Sequence, residues 1–274
     1  MIMAYIQNSI FDKYRRYFFK YIKLKLQNFK LDSIVGRFVG PRVLLVSVPK
    51  SGTHMLEGIL ESMPTIRNSG WKTINNKNCS LNKIKKIKNG MFANSHLYYS
   101  DDLYQCIKEN NIKVIFMIRD PRDIVVSRCK YIVNIDKLHY AHKMLAQLGE
   151  ESKQITACIK GKDDDFPGIF EILEGFKGWL SADNVLTIKF ENLVGAKGNG
   201  SDTLRSETIR KIRSFLDIEI SNEEIDIINT KLQDKDTSTK RKGLIGGWTE
   251  ELSSEHVEYF ERNTKSILRQ YGYR

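Results

Sequence analysis

The residues with the clearest chemical meaning form a short basic loop that carries two hydroxyl groups, Pro49-Lys50-Ser51-Gly52-Thr53. The loop follows an apolar strand pattern at 43–48 and precedes a helical pattern at 53–63. Main-chain N–H groups at such a junction bind anions, and the ammonium group of Lys50 adds positive charge. We interpret the loop as a phosphate cradle. It differs from the Walker GxxxxGK[ST] motif, because Lys50 precedes Gly52.

A second candidate anion site lies in the sequence RDPRDIVVS, residues 119–127. This run follows the apolar strand pattern at 114–118 and leads into a predicted helix. Arg119 supplies a planar fork of N–H donors, and Ser127 supplies a hydroxyl from the helix. We expect the two side chains to bind one anion.

A third basic motif, RKGLIGGW, occupies residues 241–248. It places two cations, Arg241 and Lys242, beside Gly243. Because glycine has no side chain, the main chain can approach a ligand closely there. This motif is a further candidate for phosphate binding.

His96 is the candidate general base of the chain. It directly follows a strand pattern at 91–95, so it lies at the end of a predicted strand. Imidazole titrates near neutral pH and can therefore remove a proton from a hydroxyl group. The other histidines are interpreted as surface or core residues on position alone: His54, His139, His142 and His256.

The elements that must position these residues form an alternating pattern. Strands are predicted at 43–48, 91–95, 114–118 and 185–190, and helices at 53–63, 101–110, 203–216, 222–232 and 253–271. Ser100 is the predicted N-cap of the helix at 101–110, and Ser221 with Glu224 forms a predicted capping box for the helix at 222–232. The composition of 195–202 predicts a flexible loop. Alternating strands and helices predict an α/β fold, with a parallel central sheet flanked by helices. Ligands of such sheets bind at the carboxyl ends of the strands, where the candidate residues Lys50, His96 and Arg119 lie.

Composition restricts the class of protein. The chain has 274 residues, a formal net charge of +11 and 41% hydrophobic residues, which excludes a disordered or collagen-like chain. No apolar stretch is long enough for a membrane span, and the N-terminus lacks a secretory cleavage site. The four cysteines are far apart and without metal-ligand spacing, so we predict a cytoplasmic protein without a metal site.

Taken in order, PKSGT, RDPRDxxVS and RKGxxGxW resemble the superfamily of sulfotransferases that use 3′-phosphoadenosine 5′-phosphosulfate (PAPS). The match is to its soluble branch, which acts on small molecules, and covers residues 43–274. The resemblance implies a P-loop-like sulfotransferase fold and PAPS as donor, which leaves as adenosine 3′,5′-bisphosphate (PAP). It also implies that no metal is required.

The resemblance assigns roles by position. The 5′-phosphosulfate would be held by Lys50, Ser51, Gly52, Thr53 and His54. The 3′-phosphate would be held by Arg119, Ser127, Arg241, Lys242 and Gly243, with Phe190 near the nucleotide. His96, in a segment similar to KTHL, would accept the proton of the acceptor. Lys50 and Ser127 complete the predicted catalytic set. Asn94 and Met55 depart from the family pattern, where Lys and Trp are common.

The predicted acceptor is a small molecule, possessing a hydroxyl or a nitrogen that receives the sulfuryl group. We expect its pocket to be formed by residues 64–90 and by a helical insertion at about 134–182. The candidate contacts are Trp71, Asp163, Asp164, Asp165 and Phe166. The acidic run at 163–165 fits a cationic acceptor, and it also fits a solvated loop.

The sequence divides into a basic amphipathic helical extension at 1–40 and a single domain at 41–274. Residues 1–40 and 71–90 each carry a net charge of +6. A nucleic-acid or membrane-surface module is therefore one alternative function, although no nucleic-acid partner is expected and only weak membrane contact through 1–30. The other alternative is a P-loop-type kinase of a nucleotide or metabolite.

Overall fold

The computed structural model of the protein describes residues 31–163, 165–234 and 243–273. Of the predicted basic extension at 1–40, residues 1–30 therefore lie outside the described residues, and the membrane contact predicted for them stays a prediction. Three predicted site residues also lie outside them: Asp164, Arg241 and Lys242.

A six-stranded sheet in which every pairing is parallel forms the centre of the protein. Its strands are β1 (Arg42–Ser47), β2 (Arg67–Asn68), β3 (Ile74–Asn75), β4 (Met91–His96), β5 (Ile112–Ile118) and β8 (Val185–Lys189). Five of them follow the order β2-β4-β1-β5-β8, and β3 also pairs with β4. The prediction of an α/β fold with a parallel central sheet is confirmed.

Side-chain alternation along β1 explains why both faces of the sheet are covered. Val43 and Leu45 belong to one core cluster, and Leu44 and Val46 belong to another. All four are fully buried, as expected for a central parallel strand whose side chains point alternately to opposite faces. The apolar run read from the sequence is therefore a strand between two helical layers.

Eleven α-helices lie within the described ranges. They are α1 (Leu31–Val39), α2 (Thr53–Ser62), α3 (Leu81–Lys85), α4 (Asp101–Glu109), α5 (Pro121–Lys130), α6 (His142–Gln147), α7 (Glu151–Lys160), α8 (Ile169–Phe176), α9 (Asp202–Leu216), α10 (Asn222–Asp234) and α11 (Ser254–Gln270). The predicted cap of α4 is confirmed, since the Ser100 hydroxyl accepts from the main-chain N–H of Leu103. None of these helices is long and apolar enough to cross a bilayer.

Helix α1 packs closely against the loop before β2 through a glycine. A Cβ on Gly36 would lie 2.2 Å from the main-chain oxygen of Thr65, so only glycine permits this approach. The opposite side of the helix exposes Phe38 and Val39. The described end of the basic extension thus contacts the domain, while the division into 1–40 and 41–274 stays a prediction.

The predicted insertion at 134–182 is mostly helical and contains a hairpin that the sequence analysis missed. Helix α5 continues into a π-helical turn, Tyr131–Ile135, and α6, α7 and α8 follow. Between α7 and α8, β6 (Gly161–Asp163) pairs antiparallel with β7 (Phe166–Pro167), and Asp165 lies in a turn before β7. Strands of two or three residues are too short for a periodic pattern to reveal.

Candidate active site

A cavity of about 810 Å³ lies at the carboxyl ends of β1, β4, β5 and β8. Each of these strands delivers a predicted site residue at or just beyond its end. The predicted residues in the cavity wall are Lys50, Gly52, Thr53, His54, His96, Arg119, Ser127, Asp165, Phe190 and Gly243. The parallel topology thus brings together residues that are up to 193 positions apart in the sequence.

The loop after β1 has a main-chain conformation that leaves a concave surface. Lys50 and Gly52 both have positive φ angles, 73° and 94°. A Cβ on Gly52 would lie 2.6 Å from Cδ2 of Phe190, so a side chain at this position would meet the cavity wall. Gly52 is also the N-cap of α2 and offers its N–H groups no side-chain acceptor. The first turn of α2 is therefore open to an anion.

Ser51 has a different place from the one predicted. Its hydroxyl donates to the main-chain oxygen of Val48 at 2.6 Å and lies 3.1 Å from that of Met117. The side chain is fully buried and does not line the cavity. It fixes the loop to β5, so any contact of Ser51 with an anion in the cavity would come from its main chain.

Lys50 is a cation in an unfavourable environment. Its Nζ lies 3.7 Å from the centroid of the Tyr131 ring. Burial and, to a smaller extent, the charge of Arg119 lower the pKa of Lys50, Asp136 opposes both effects, and the resulting pKa is about 8. A bound anion would restore the stability of the charged form. The site is thus electrostatically prepared for phosphate.

Arg119 contacts two loops that contain glycine. One is the loop at 49–53, called the phosphate loop below, and the other begins at Gly243. Its Nη2 donates to the main-chain oxygen of Leu244 at 2.9 Å, and its Nη1 lies 3.5 Å from that of Lys50. The guanidinium also covers the Phe190 ring, with Cζ 4.2 Å from the centroid. Arg119 therefore links the phosphate loop to the segment after Gly243.

Asp123, which the sequence analysis did not select, holds that segment from the other side. It pairs with Arg119 at 3.6 Å and accepts from the N–H groups of Gly246 and Trp248 at 3.1 and 3.0 Å. Burial raises the pKa of the Asp123 carboxyl, and Arg119 opposes that rise. The i, i+4 spacing of Arg119 and Asp123 on the sequence is the signal that could have found this pair.

His96 is held in the orientation of a base. Its Nδ1 lies 2.8 Å from the main-chain oxygen of Ser47, which can only accept, so Nδ1 carries the proton and Nε2 has a free lone pair. Burial lowers the pKa of His96, the bond to Ser47 opposes this, and His54 and Lys50 lower the pKa further. The imidazole is therefore neutral at pH 7 and able to accept a proton.

Ser47 connects this base to the phosphate loop. Its hydroxyl lies 2.7 Å from Oγ1 of Thr53 and 3.2 Å from Nδ1 of His96. Ser47 is fully buried at the end of β1, where the sequence pattern predicted only a strand residue. His96 and the loop at 49–53 thus share one hydrogen-bonded support.

The buried side chain of Glu57 orients three residues near the phosphate loop. Glu57 of α2 contacts Nδ1 of His54 at 3.0 Å, Nδ2 of Asn94 at 3.0 Å and Nδ2 of Asn68 at 2.5 Å. Asn94 stands where the resembling family often has lysine, and its side chain here is fixed by Glu57 in the cavity wall. His54 is consequently oriented toward the cavity through Glu57, another residue that the sequence analysis missed.

Of the predicted acceptor residues, the structure places one in the cavity wall and two outside it. Asp165 is exposed and lines the cavity, whereas Phe166 is buried and Trp71 packs against the core, so neither is in the cavity wall. The side chain of Asp163 lies outside the described part of the chain. Residues 64–90 and the insertion do form this end of the cavity, as expected, through Thr73, Asn75, Asn76, Lys77, His139, Tyr140, Asp165 and Pro167.

A parallel α/β sheet with an anion loop, a paired arginine and an oriented histidine at its carboxyl edge defines a nucleotide-dependent group transferase. The family model described as a sulfotransferase domain matches residues 40–272. The chain belongs to the sulfotransferase family, and the prediction of a PAPS-dependent enzyme of this family is confirmed. The match decides against the kinase and the nucleic-acid module.

Individual relatives are distant but cover most of the chain. The rabbit (Oryctolagus cuniculus) amine sulfotransferase is 24% identical over 253 residues, which are 80% of this chain and 78% of the rabbit protein. The 3-beta-hydroxysteroid sulfotransferase of Cavia porcellus is also 24% identical, over 255 residues, with 80% of each chain covered.

Solved structures resemble the fold over a similar extent. Mouse sulfotransferase SULT7A1 complexed with PAP superposes with a TM-score of 0.61 at 20% identity, covering 90% of this chain and 94% of that one. Retinol dehydratase in complex with retinol and PAP has a TM-score of 0.56 at 15% identity, covering 88% and 85%. At these identities the likeness concerns the fold.

Proposed function

We propose that this enzyme transfers the sulfuryl group of PAPS to a hydroxyl or nitrogen of a small-molecule acceptor in the 810 Å³ cavity. The observation that carries the proposal is the convergence of the phosphate loop, Arg119 and His96 at one edge of the sheet. The family relationship and the PAP-bound structural neighbours support the same donor. A cytoplasmic location, consistent with four free cysteines, is part of this proposal.

The donor fits the residues at the carboxyl ends of β1 and β5. We assign the 5′-phosphosulfate to Lys50, Thr53, His54 and the main chain at 51–53, because a desolvated cation and an uncapped helix start lie there. We assign the 3′-phosphate to Arg119 and Ser127. Gly243 lines the cavity on that side. Arg241 and Lys242 remain predicted contacts outside the described residues.

His96 is assigned the role of general base. The acceptor hydroxyl or amine would donate its proton to Nε2, since Nδ1 donates to Ser47. Sulfur is attacked as the proton leaves, and the bond between sulfur and the 5′-phosphate oxygen breaks. The charge that develops on this phosphate oxygen is stabilised by Lys50 and by the N–H groups of the loop.

The acceptor is assigned to the end of the cavity formed by residues 73–77 and by the insertion. Relatives named for amines and hydroxysteroids, and neighbours that bind retinol and androsterone, support a small organic acceptor. They differ too much among themselves to select one compound. Asp165 lines this end and is the described residue of the acidic run that supports a polar contact.

A thermal-shift titration tests the donor assignment. We expect PAP to stabilise the protein in the absence of Mg²⁺, by about 2.7 kcal/mol at a concentration of one hundred times its dissociation constant. Mg-ATP should stabilise it far less, because ATP lacks the 3′-phosphate. Greater stabilisation by Mg-ATP than by PAP would contradict the proposal. Incorporation of radiolabel from PAPS into a panel of phenols, alcohols and amines then tests the reaction itself.

The pKa of Lys50 predicts how PAP binding depends on pH. Because this pKa is about 8 in the free protein, Lys50 is charged below pH 8 and binds PAP without taking up a proton. Above pH 8 it must first be protonated, so affinity should fall by up to about tenfold per pH unit. Isothermal titration between pH 7 and pH 9.5 measures the affinity for PAP as a function of pH. This range lies above the second pKa of phosphate, at about 6, so the charge of the ligand is nearly constant.

Lys50→Arg is the matched control, because arginine keeps its charge throughout this range. The variant should bind PAP with an affinity that no longer falls between pH 8 and pH 9.5, whatever its absolute affinity. An equal slope in both proteins would mean that another group causes the pH dependence.

A further inference from the structure

Arg128 is a cation at the acceptor end of the cavity that neither the motifs nor the family resemblance singled out. It follows Ser127 on α5, and both residues line the cavity. Its guanidinium lies among residues of the insertion: Nη1 donates to the main-chain oxygen of Pro167 at 2.7 Å, and Cζ lies 4.0 Å from the centroid of the Phe166 ring. The side chain therefore belongs to the acceptor pocket.

The hydrogen-bond and ring partners of Arg128 in the described part of the chain are uncharged: a main-chain carbonyl, an aromatic face and the hydroxyl of Tyr140. Burial lowers the pKa of this guanidinium, and Cys158, Tyr140 and Tyr98 oppose that effect. Among the described residues no salt bridge includes Arg128. A desolvated cation without an opposite charge is unfavourable, and an anion supplied by a ligand would compensate for it.

Three neighbouring cations of the segment 119–130 each form an ion pair with a carboxylate. Arg119 contacts Asp123 at 3.6 Å, and Arg122 contacts Asp120 at 2.7 Å. Lys130 contacts both Glu151 and Glu251. Each of these cations has a carboxylate partner, whereas no described carboxylate forms an ion pair with Arg128, which lines the cavity.

The remaining groups at this end agree with a polar, negatively charged ligand. Asn75 and Asn76 supply amides, and Lys77 adds a second cation, 5.6 Å from the Tyr140 ring. Burial lowers the pKa of His139, so that imidazole is neutral at pH 7. Among the described residues in this part of the wall the acidic group is Asp165, which is exposed at the hairpin turn and is therefore solvated.

Apolar side chains complete the wall beside these groups. Ile132, Ile172 and Phe176 line the same cavity, and Phe176 packs edge-on against Tyr98 at 5.2 Å between ring centroids. This surface suits the carbon skeleton of a small aromatic or cyclic molecule. The pocket thus offers an apolar wall and, beside it, a guanidinium that has no carboxylate partner among the described residues.

We propose that Arg128 forms a binding subsite for a compact oxyanion on the acceptor, so that the preferred acceptor is a small hydroxylated acid, with a carboxylate or a phosphonate-like group. The proposal rests on the proposed sulfuryl transfer and defines its acceptor class. It differs from the cationic acceptor that the acidic run at 163–165 would fit, and agrees with the other interpretation of that run as a solvated loop. The guanidinium binds the oxyanion through two N–H donors, while the acceptor hydroxyl is directed to Nε2 of His96.

The test compares phenols that share one skeleton and differ in charge. Turnover with PAPS is measured for para-hydroxyphenylacetate, its neutral amide, para-hydroxybenzylphosphonate and the cationic tyramine. We expect kcat/KM for an anionic phenol to exceed that of the amide by about tenfold or more, and that of tyramine by a larger factor. The carboxylate and the phosphonate show which oxyanion fits better. An equal or higher value for the amide or tyramine would overturn the proposal.

The variant Arg128→Met tests whether Arg128 causes the preference for an anionic acceptor. The ratio of kcat/KM between the anionic phenol and the amide should fall to about one in this variant. Arg213→Met is the matched control, because Arg213 is also half-buried, donates to one main-chain oxygen, that of Ile220 at 2.7 Å, and lies outside the cavity wall. It should keep the ratio of the unmodified enzyme. A preference that survives in Arg128→Met would overturn the assignment.

A binding measurement separates this proposal from the proposed function. In the protein saturated with PAP, para-hydroxyphenylacetate should raise the melting temperature more than its amide does, and Arg128→Met should remove the difference. No such difference in the unmodified protein would overturn the oxyanion subsite. By contrast, if PAP itself neither binds nor protects the protein, the proposed sulfuryl transfer is what fails.

Discussion

Replacing His96 with Asn should lower kcat by about a hundredfold to ten-thousandfold, the usual contribution of a general base. Asparagine keeps a polar group of similar size near the main-chain oxygen of Ser47 but has no basic nitrogen. Because His96 is fixed by Ser47 at the edge of the cavity, its loss should leave the affinity for PAP within about twofold. Radiolabel transfer from PAPS gives kcat, and isothermal titration gives the affinity.

His142→Asn is the matched control for this experiment. Nδ1 of His142 lies 2.9 Å from the main-chain oxygen of Ile132, the same arrangement as in His96, but the residue is not in the cavity wall. This variant should retain kcat within about twofold. If His96→Asn also retains kcat, the base must be another group, and the assignment is wrong.

The pH profile provides a second signature of the base. Burial lowers the pKa of His96 below its usual value, so the neutral form predominates at pH 7. Activity should therefore be constant near neutrality and fall as the pH drops through the lowered pKa. In His96→Asn the residual activity should lack this acidic limb.

The main strands, the helix caps and the edge of the sheet that binds ligand were predictable from local patterns. Apolar runs such as 43–48 and 114–118 have one structural solution when both faces are buried. The cap of α10 was equally local: Ser221 and Glu224 exchange hydrogen bonds at 2.7 and 3.2 Å, as the spacing predicted. The candidate site followed because parallel strands place their carboxyl ends together.

Other features depend on contacts between distant segments, which no local pattern encodes. The Ser51 hydroxyl is held out of the cavity by the carbonyls of Val48 and of Met117 on the neighbouring strand. The side chain of Glu57 is buried because Asn68 and Asn94 arrive from other elements to satisfy its oxygens. Phe166 is covered by Arg128 rather than exposed to the acceptor. In each case tertiary packing decided where a polar or aromatic group points.

In the segment 195–202, side-chain contacts that composition does not reveal decide the structure of a loop. Its glycines predicted flexibility, yet Ala196–Gly198 forms a 3-10 turn. The main-chain N–H of Ala196 donates to Asp202 at 3.1 Å, and Arg205 contacts the same carboxylate at 2.6 Å. Glycine allowed the turn, and a charged pair on the following helix α9 fixed it.

Replacing Arg119 with Met should remove the preference of the enzyme for a 3′-phosphorylated nucleotide. The unmodified protein is expected to bind PAP about a hundredfold more tightly than adenosine 5′-phosphate, because a charge-assisted pair contributes about 1.5–3 kcal/mol. Arg119 also bridges the main-chain oxygens of Lys50 and Leu244, so its loss affects both loops that enclose the donor. The ratio of the two dissociation constants, measured by isothermal titration, isolates the 3′-phosphate from the effects that both nucleotides share.

Two further variants make the interpretation of this ratio specific. Arg119→Lys keeps the charge beside Asp123 but loses the planar fork, so it should retain part of the preference. Arg213→Met removes a half-buried arginine that also donates to a main-chain oxygen. This variant should retain the full preference for the 3′-phosphorylated nucleotide. A full preference in Arg119→Met would place the 3′-phosphate elsewhere, with the predicted cations Arg241 and Lys242 next to be tested. The graded order Met, Lys, Arg at position 119 would instead show that geometry as well as charge recognises this phosphate.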